Sequence, residues 1–168
     1  MSIREQQFDQ YKKLKKIIKN ILNEIKDTYT VWFQSRLKSE ESINEKLLVR
    51  NQQLNDIIGF RLIYPWTSDL YILADILCKH KELDIIETKT SEEHKVIHMY
   101  GKTQSGDIYE IQLWPTIIYT CFEYEHDKIY KPKTTPTTKQ LENSLSVRQH
   151  EHTLQNIVDV NRLVPYDL

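Results

Sequence analysis

Between positions 57 and 64 the chain reads IIGFRLIY, an apolar, β-rich run that Pro65 closes and in which Arg61 is the one charge. Such a run predicts a strand, and a guanidinium inside it needs a partner. The segments around it follow by period. Phe8, Tyr11, Leu14, Ile17, Ile18, Ile21, Leu22 and Ile25 recur at steps of three and four, which predicts an amphipathic helix over 4–27 with lysines outside. From Thr30 to Lys38 the step becomes two: Val31, Phe33 and Leu37 share one face of a half-buried strand, and Gln34, Arg36 and Lys38 the other. Ser39 followed by Glu40 and Glu41 marks a helix start running to about Arg50.

Downstream, Ser68 is expected to cap a helix through Leu70, Ile72, Leu73, Ile76 and Leu77 that ends near His80. Strands are expected at 83–89, 95–101 and 107–114, the last two joined as a hairpin by TQSG, and a helix at 116–130. This order argues an α+β domain with a mixed sheet of about five strands flanked by helices. Pro132 and Pro136 make PKTTPTT a linker, and 139–162 carries a weak helical pattern that docks on the domain or on a partner chain. The expected organisation is therefore an N-terminal helix over 1–29 packing on a core at 30–131, then a linker and helical tail at 132–168.

The balance of 23 Lys and Arg against 24 Asp and Glu leaves a net charge of −1, so a polyanion must be held by a local cluster rather than a global field. Residues 1–28 show neither a secretory signal nor a membrane span. Cys78 and Cys121, far apart and without metal spacing, are expected to be buried free thiols in a reducing, cytoplasmic setting. With 3 glycines the chain has no phosphate-cradling glycine loop, and no zinc motif is present.

Parity along the strands separates core from chemistry. On 107–114, Tyr109, Ile111 and Leu113 point one way, and Glu110, Gln112 and Trp114 the other; His94, Val96, His98 and Tyr100 share a parity on the neighbouring strand. A sheet surface bearing Arg36, Lys38, Arg61, Asp56, Glu110 and His98 suits phosphoryl or pyrophosphoryl transfer, where cations clamp phosphate oxygens and carboxylates hold Mg²⁺ or take a proton. Charged residues form 28% of the chain, so each has a plain reading too: Arg61 in a salt bridge with Asp56, His98 as a sheet histidine, Lys46 and the helix lysines as a solvated face.

The run RLKSEESINEK, with Arg36, Lys38, Ser42 and Lys46, then DIIGFRLIY, SDLYILADIL, YEIQLW and EHDKIYK, resembles the synthetase domain of the RelA/SpoT alarmone enzymes over about 30–131, in particular its short, stand-alone members. The resemblance implies a nucleotidyltransferase-like sheet that moves the β,γ-pyrophosphate of ATP to the 3′-hydroxyl of GDP or GTP, with Mg²⁺ as cofactor. It further implies that Arg36, Lys38, Ser42, Lys46 and Arg61 grip ATP, that Asp56 and Glu110 are the metal-binding and catalytic acids, and that His94, His98 and Gln112 meet the acceptor. Where the family has Gly-Tyr-x-Ser-x-His, this chain reads Glu93, His94, Lys95, Val96, Ile97, His98, and Trp114 and Pro115 stand where an Arg usually follows Glu-x-Gln. These departures fall on the acceptor side, which leaves other readings beside the first. One is the tRNA 3′ end or an adenine nucleotide as acceptor, with Lys12, Lys13, Lys15, Lys16, Lys19, Lys128, Lys131 and Lys133 as the RNA-facing cations. Another is a degenerate nucleotide-binding module. A homo-oligomer sealed by the tail is a further expectation.

Overall fold

The computed structural model describes residues 3–28, 30–43, 57–91, 95–126 and 135–161. Lys46, Asp56 and His94 lie outside the described residues, as does the expected helix beyond position 43. Helix α1 spans Ile3–Ile25, strands β1 and β2 span Trp32–Leu37 and Ile58–Tyr64, and α2 spans Thr67–Lys79. Strands β3, β4 and β5 cover Ile85–Ser91, Val96–Lys102 and Ile108–Pro115, followed by α3 at Thr116–Glu125 and α4 at Thr138–Asn161. The five strands form one mixed sheet in the order β1-β2-β5-β4-β3, with β2 and β5 parallel and the other neighbours antiparallel.

One face of the sheet carries the main core. Ile58, Phe60, Leu62, Met99, Tyr109, Ile111 and Leu113 project from it and meet Leu14, Ile17, Ile18 and Ile21 of α1 and Leu70, Leu73 and Leu77 of α2. Tyr11 and Phe33 both stack on Phe60, at 6.0 and 6.2 Å between ring centres. Gly101 of β4 lies opposite Tyr109 and leaves room for that ring. Burial, reinforced by the charge of Asp84, pushes the Tyr109 phenol up and keeps it neutral. The β4–β5 connection closes as a hairpin: the Thr103 N–H donates to the Asp107 carbonyl at 2.9 Å, and Gly106 takes the φ of +93° that a side chain would resist.

Helix starts are satisfied in two different ways. Ser39 behaves as a local cap, its Oγ accepting the Ser42 N–H at 3.3 Å. Ser68, by contrast, does not cap α2. The cap position falls two residues earlier, at Trp66, which makes no side-chain cap bond, and the helix-start donors are met from afar. Asp159 of α4 accepts the Thr67 N–H at 2.8 Å and its hydroxyl at 2.7 Å. Fully buried Gln155 accepts the Ile117 N–H at the start of α3 and donates to the Pro65 carbonyl.

Helix α4 therefore docks polar side in. Ser144 and Arg148 meet Glu125 of α3, and Glu151 and Gln155 are buried, while Leu145, Leu154, Ile157 and Val160 stay exposed. This inversion is why its apolar pattern reads weakly as a surface helix. The cysteine expectation is corrected: Cys78 is exposed and Cys121 half-buried, because α2 turns Cys78 away from its Leu70, Leu73 and Leu77 stripe. Both thiols are free. Among the described residues, no helix is long and apolar enough to cross a membrane.

Candidate functional site

The opposite sheet face is open, and strand register sets its side chains in rows. Arg36 on β1 faces Gly59 on β2, then Glu110 on β5, Tyr100 on β4 and Glu87 on β3. The next row runs Gln34, Arg61, Gln112, His98 and Lys89. Residues paired directly across strands share a face, so both rows project to the same side. Residues predicted far apart in sequence are thus brought within two rungs of one ladder.

A cavity of ≈ 350 Å³ lies over the β1–β2–β5 part of these rows, lined by Arg36, Gly59, Arg61, Glu110, Gln112, Gln34, Tyr119 and Glu123, with Ser35 and Phe60 at its floor. Gly59 matters by what it lacks. A Cβ there would stand 3.5 Å from both Cγ and Nε of Arg36, so the bare position is the bed on which the Arg36 side chain lies. Arg36 is exposed at the edge of this cavity.

Arg61 is held on several sides. Its Nε donates to Gln112 Oε1 and its Nη1 to Glu123 Oε1, each at 3.1 Å. The guanidinium carbon lies 5.5, 5.2 and 6.0 Å from the rings of Trp114, Tyr119 and Phe122. Asp56, the expected partner, lies outside the described residues; among the described ones Arg61 pairs with Glu123 from α3. Glu123 and Tyr119 went unremarked in the sequence. Their signal was the four-residue step that sets both on one side of the helix following Glu110, Gln112 and Trp114.

Gln112 joins the basic and acidic halves. Its Oε1 also accepts the Trp114 indole N–H at 3.1 Å, while its Nε2 donates to Glu110 Oε2 at 2.9 Å. The other oxygen of Glu110 lies 2.9 Å from His98 Nδ1. A carboxylate only accepts, so His98 carries its proton on Nδ1 in this contact. Glu110 is buried, and its neighbours leave one lone pair on each oxygen for a ligand. Gln34 accepts from the Tyr119 hydroxyl at 3.1 Å, tying the edge strand to α3.

Among the described residues, three predicted ones are not part of the cavity wall: Lys38, Ser42 and His98, the last reaching Glu110 from β4. Lys38 follows the end of β1, where its N–H bonds the Ile57 carbonyl and its carbonyl accepts from Arg4. Ser42 is turned toward Ser39, whose hydroxyl lies 3.2 Å away. Chemically, the cavity offers two guanidinium groups for a polyanion and one buried carboxylate, held in fixed orientation, for a metal or a proton.

Residues 35–135 match the family model described as the region found in RelA / SpoT proteins. The chain belongs to the RelA/SpoT family. A further relative is the GTP pyrophosphokinase YwaC of Bacillus subtilis (strain 168), 34% identical across a stretch covering 33% of this chain and 31% of that protein. The matched stretch thus spans about a third of that relative. Among solved structures, small alarmone synthetase 1 of Bacillus subtilis superposes with a TM-score of 0.77 at 20% identity, covering 94% of this chain and 95% of that one. The same enzyme bound to its product pppGpp gives 0.77 at 18%, with coverage of 96% and 95%. At such identities the structural likeness is one of fold, and it matches the RelA/SpoT assignment made from residues 35–135.

Within that family fold, a metal ion's fit can be judged from Glu110 itself. Mg²⁺ takes oxygen ligands, is commonly bound by one or two carboxylates, and fills its other positions with water and substrate phosphates. Glu110, whose partners among the described residues take one position on each oxygen and which lines a cavity bearing the guanidinium groups of Arg36 and Arg61, suits that demand. Among the described residues no group of three or more His, Cys, Asp and Glu side chains forms an all-protein metal cage.

Proposed function

We propose that this protein transfers the β,γ-pyrophosphate of ATP to the 3′-hydroxyl of a guanine nucleotide, GDP or GTP, making a (p)ppGpp-type alarmone and AMP. The observation that carries the reading is the hydrogen-bonded line Arg61, Gln112, Glu110, His98 beside Arg36 on one rigid sheet face. Membership of the RelA/SpoT family supports it, as does the likeness to a synthetase crystallised with pppGpp.

In this reading Arg36 and Arg61 bind the triphosphate, with Lys38, Ser42 and Lys46 at its approach. The Arg61 fork is pre-set by Gln112 and Glu123, so little side-chain order is lost when phosphate oxygens arrive. Glu110 takes the proton of the attacking 3′-hydroxyl on one of its oxygens as the new O–Pβ bond forms and the Pα–O–Pβ bridge breaks toward AMP. His98 and Gln112 keep that carboxylate aimed, and the same two residues, with His94, flank the acceptor. Glu110 together with Asp56 would hold Mg²⁺, which when bound neutralises phosphate charge.

The test is incubation of the purified protein with labelled ATP, Mg²⁺ and each purine nucleotide in turn. Labelled pyrophosphorylated GDP or GTP and stoichiometric AMP are expected, and E110Q should lower turnover about 10²–10⁴-fold. Label appearing on tRNA or on an adenine nucleotide instead would replace the acceptor. Absence of transfer to all of these would leave a nucleotide-binding module.

A further inference from the structure

Helix α3 supplies most of what surrounds Arg61, yet little in its own sequence holds it in place. Glu123 pairs with the guanidinium, and the rings of Tyr119 and Phe122 flank it. At 10 residues α3 is shorter than a helix that stands by itself in water. Its cap position is Pro115, which makes no side-chain cap bond, and its last turn carries no basic residue.

Both ends are held instead by the polar side of α4. At the start, Gln155 Oε1 accepts the Ile117 N–H at 3.3 Å. At the far end, one oxygen of Glu125 accepts from Ser144 Oγ and Arg148 Nε. Gln155 has a second tie: its Nε2 donates at 2.9 Å to the carbonyl of Pro65, just past β2, the strand that carries Arg61. One amide thus spans the exit of Arg61's strand and the entry of the helix that bears its partners. The side chain is fully buried, where an amide must find its partners within the protein, so these contacts fix its orientation. Resting on the pyrophosphate-transfer reading, we propose that Gln155 is a positioning residue for that reaction: from α4 it sets α3 against the end of β2 and so holds the cage in which Arg61 meets the triphosphate. Gln155 does not line the cavity and acts through α3. A shift of α3 moves Tyr119, Phe122 and Glu123 together. Glu110 and His98 are set by the β4–β5 register and stay where they are, so the effect falls on ATP and spares the acceptor.

The experiment uses the full chain. A fluorescent, non-hydrolysable ATP analogue is titrated at equilibrium, and pyrophosphate transfer to GDP is measured in parallel. Q155L, similar in size but without the amide's bonds, should weaken the analogue and raise the KM for ATP about 10-fold or more, with the KM for GDP unmoved. In an E123Q background the same substitution should add little, because both act on Arg61 through one helix. T67A removes a different hydrogen bond to α4, at the start of α2, and should lower the urea midpoint while keeping both KM values, which separates positioning from loosened docking of α4. S144A frees the far end of α3 and should raise the KM for ATP in the same direction, which decides the matter where Q155L does not fold. If the wild type transfers pyrophosphate and the folded variants of Gln155 or Ser144 keep its KM for ATP, the positioning role is wrong and the reaction stands. Analogue binding that depends on Gln155 without any transfer overturns the reaction and upholds the positioning role, and absence of both binding and transfer overturns both.

Discussion

Replacing Gly101 by Ala tests the packing that holds the β4–β5 pair, and with it the His98–Glu110 contact, in register. A Cβ on Gly101 would stand 2.6 Å from Cε2 of Tyr109 and nearer still to Cζ and the hydroxyl oxygen. That ring is fully buried and is wedged between the sheet and the α1 and α2 core, so it cannot swing clear. Overpacking of this kind costs about 1–3 kcal/mol, against which the loss of glycine's freedom in the unfolded chain returns about 0.4–1 kcal/mol. A net loss of about 1–2 kcal/mol is expected, a sizeable share of the roughly 5–15 kcal/mol that a domain has. The decisive arm is a double-mutant cycle. Y109V alone should cost about 3 kcal/mol by opening a cavity, but in its background G101A should be neutral or stabilising, because the new methyl enters the freed space. Urea titration of the four proteins, read as midpoints at constant slope, gives the coupling, expected at about 2 kcal/mol. Equal costs for G101A in the two backgrounds would refute the steric argument.

Three further outcomes follow from the same contacts. R61K replaces a fork spanning Gln112 and Glu123 by a point charge, and kcat/KM for pyrophosphate transfer should fall about 10²-fold with a nearly unchanged urea midpoint; unaltered kinetics would remove Arg61 from the site. D159A deletes the cap of α2 that α4 supplies, and should cost about 1 kcal/mol and raise amide exchange in the first turn of α2, so an unchanged Thr67 region would count against a tertiary cap. Burial, with Glu151 and Glu125 nearby, pushes the Cys121 thiol up. Because the thiolate is the reactive form, at pH 8 exposed Cys78 should be alkylated faster than Cys121, the gap narrowing as pH rises and Cys121 ionises; peptide mass spectrometry showing equal rates would refute this.

What was legible in the chain was everything that a period can carry. Alternation on 30–38 and 107–114 put Arg36, Glu110 and Gln112 on faces opposite Phe33, Ile111 and Leu113, and the structure keeps each on that side, because strand geometry turns successive side chains to opposite faces whatever the neighbours are. The five strands and the TQSG hairpin were legible for the same reason, with β3 displaced by two residues toward Ser91. Partners across elements were not legible. That Arg61 meets Glu123, that Asp159 rather than Ser68 caps α2, and that α4 turns its polar side inward all depend on which surfaces the chain brings together. A hydrogen-bonding group encodes its need for a partner in its own chemistry, whereas the partner's identity is decided by three-dimensional proximity, which no local pattern of residues records.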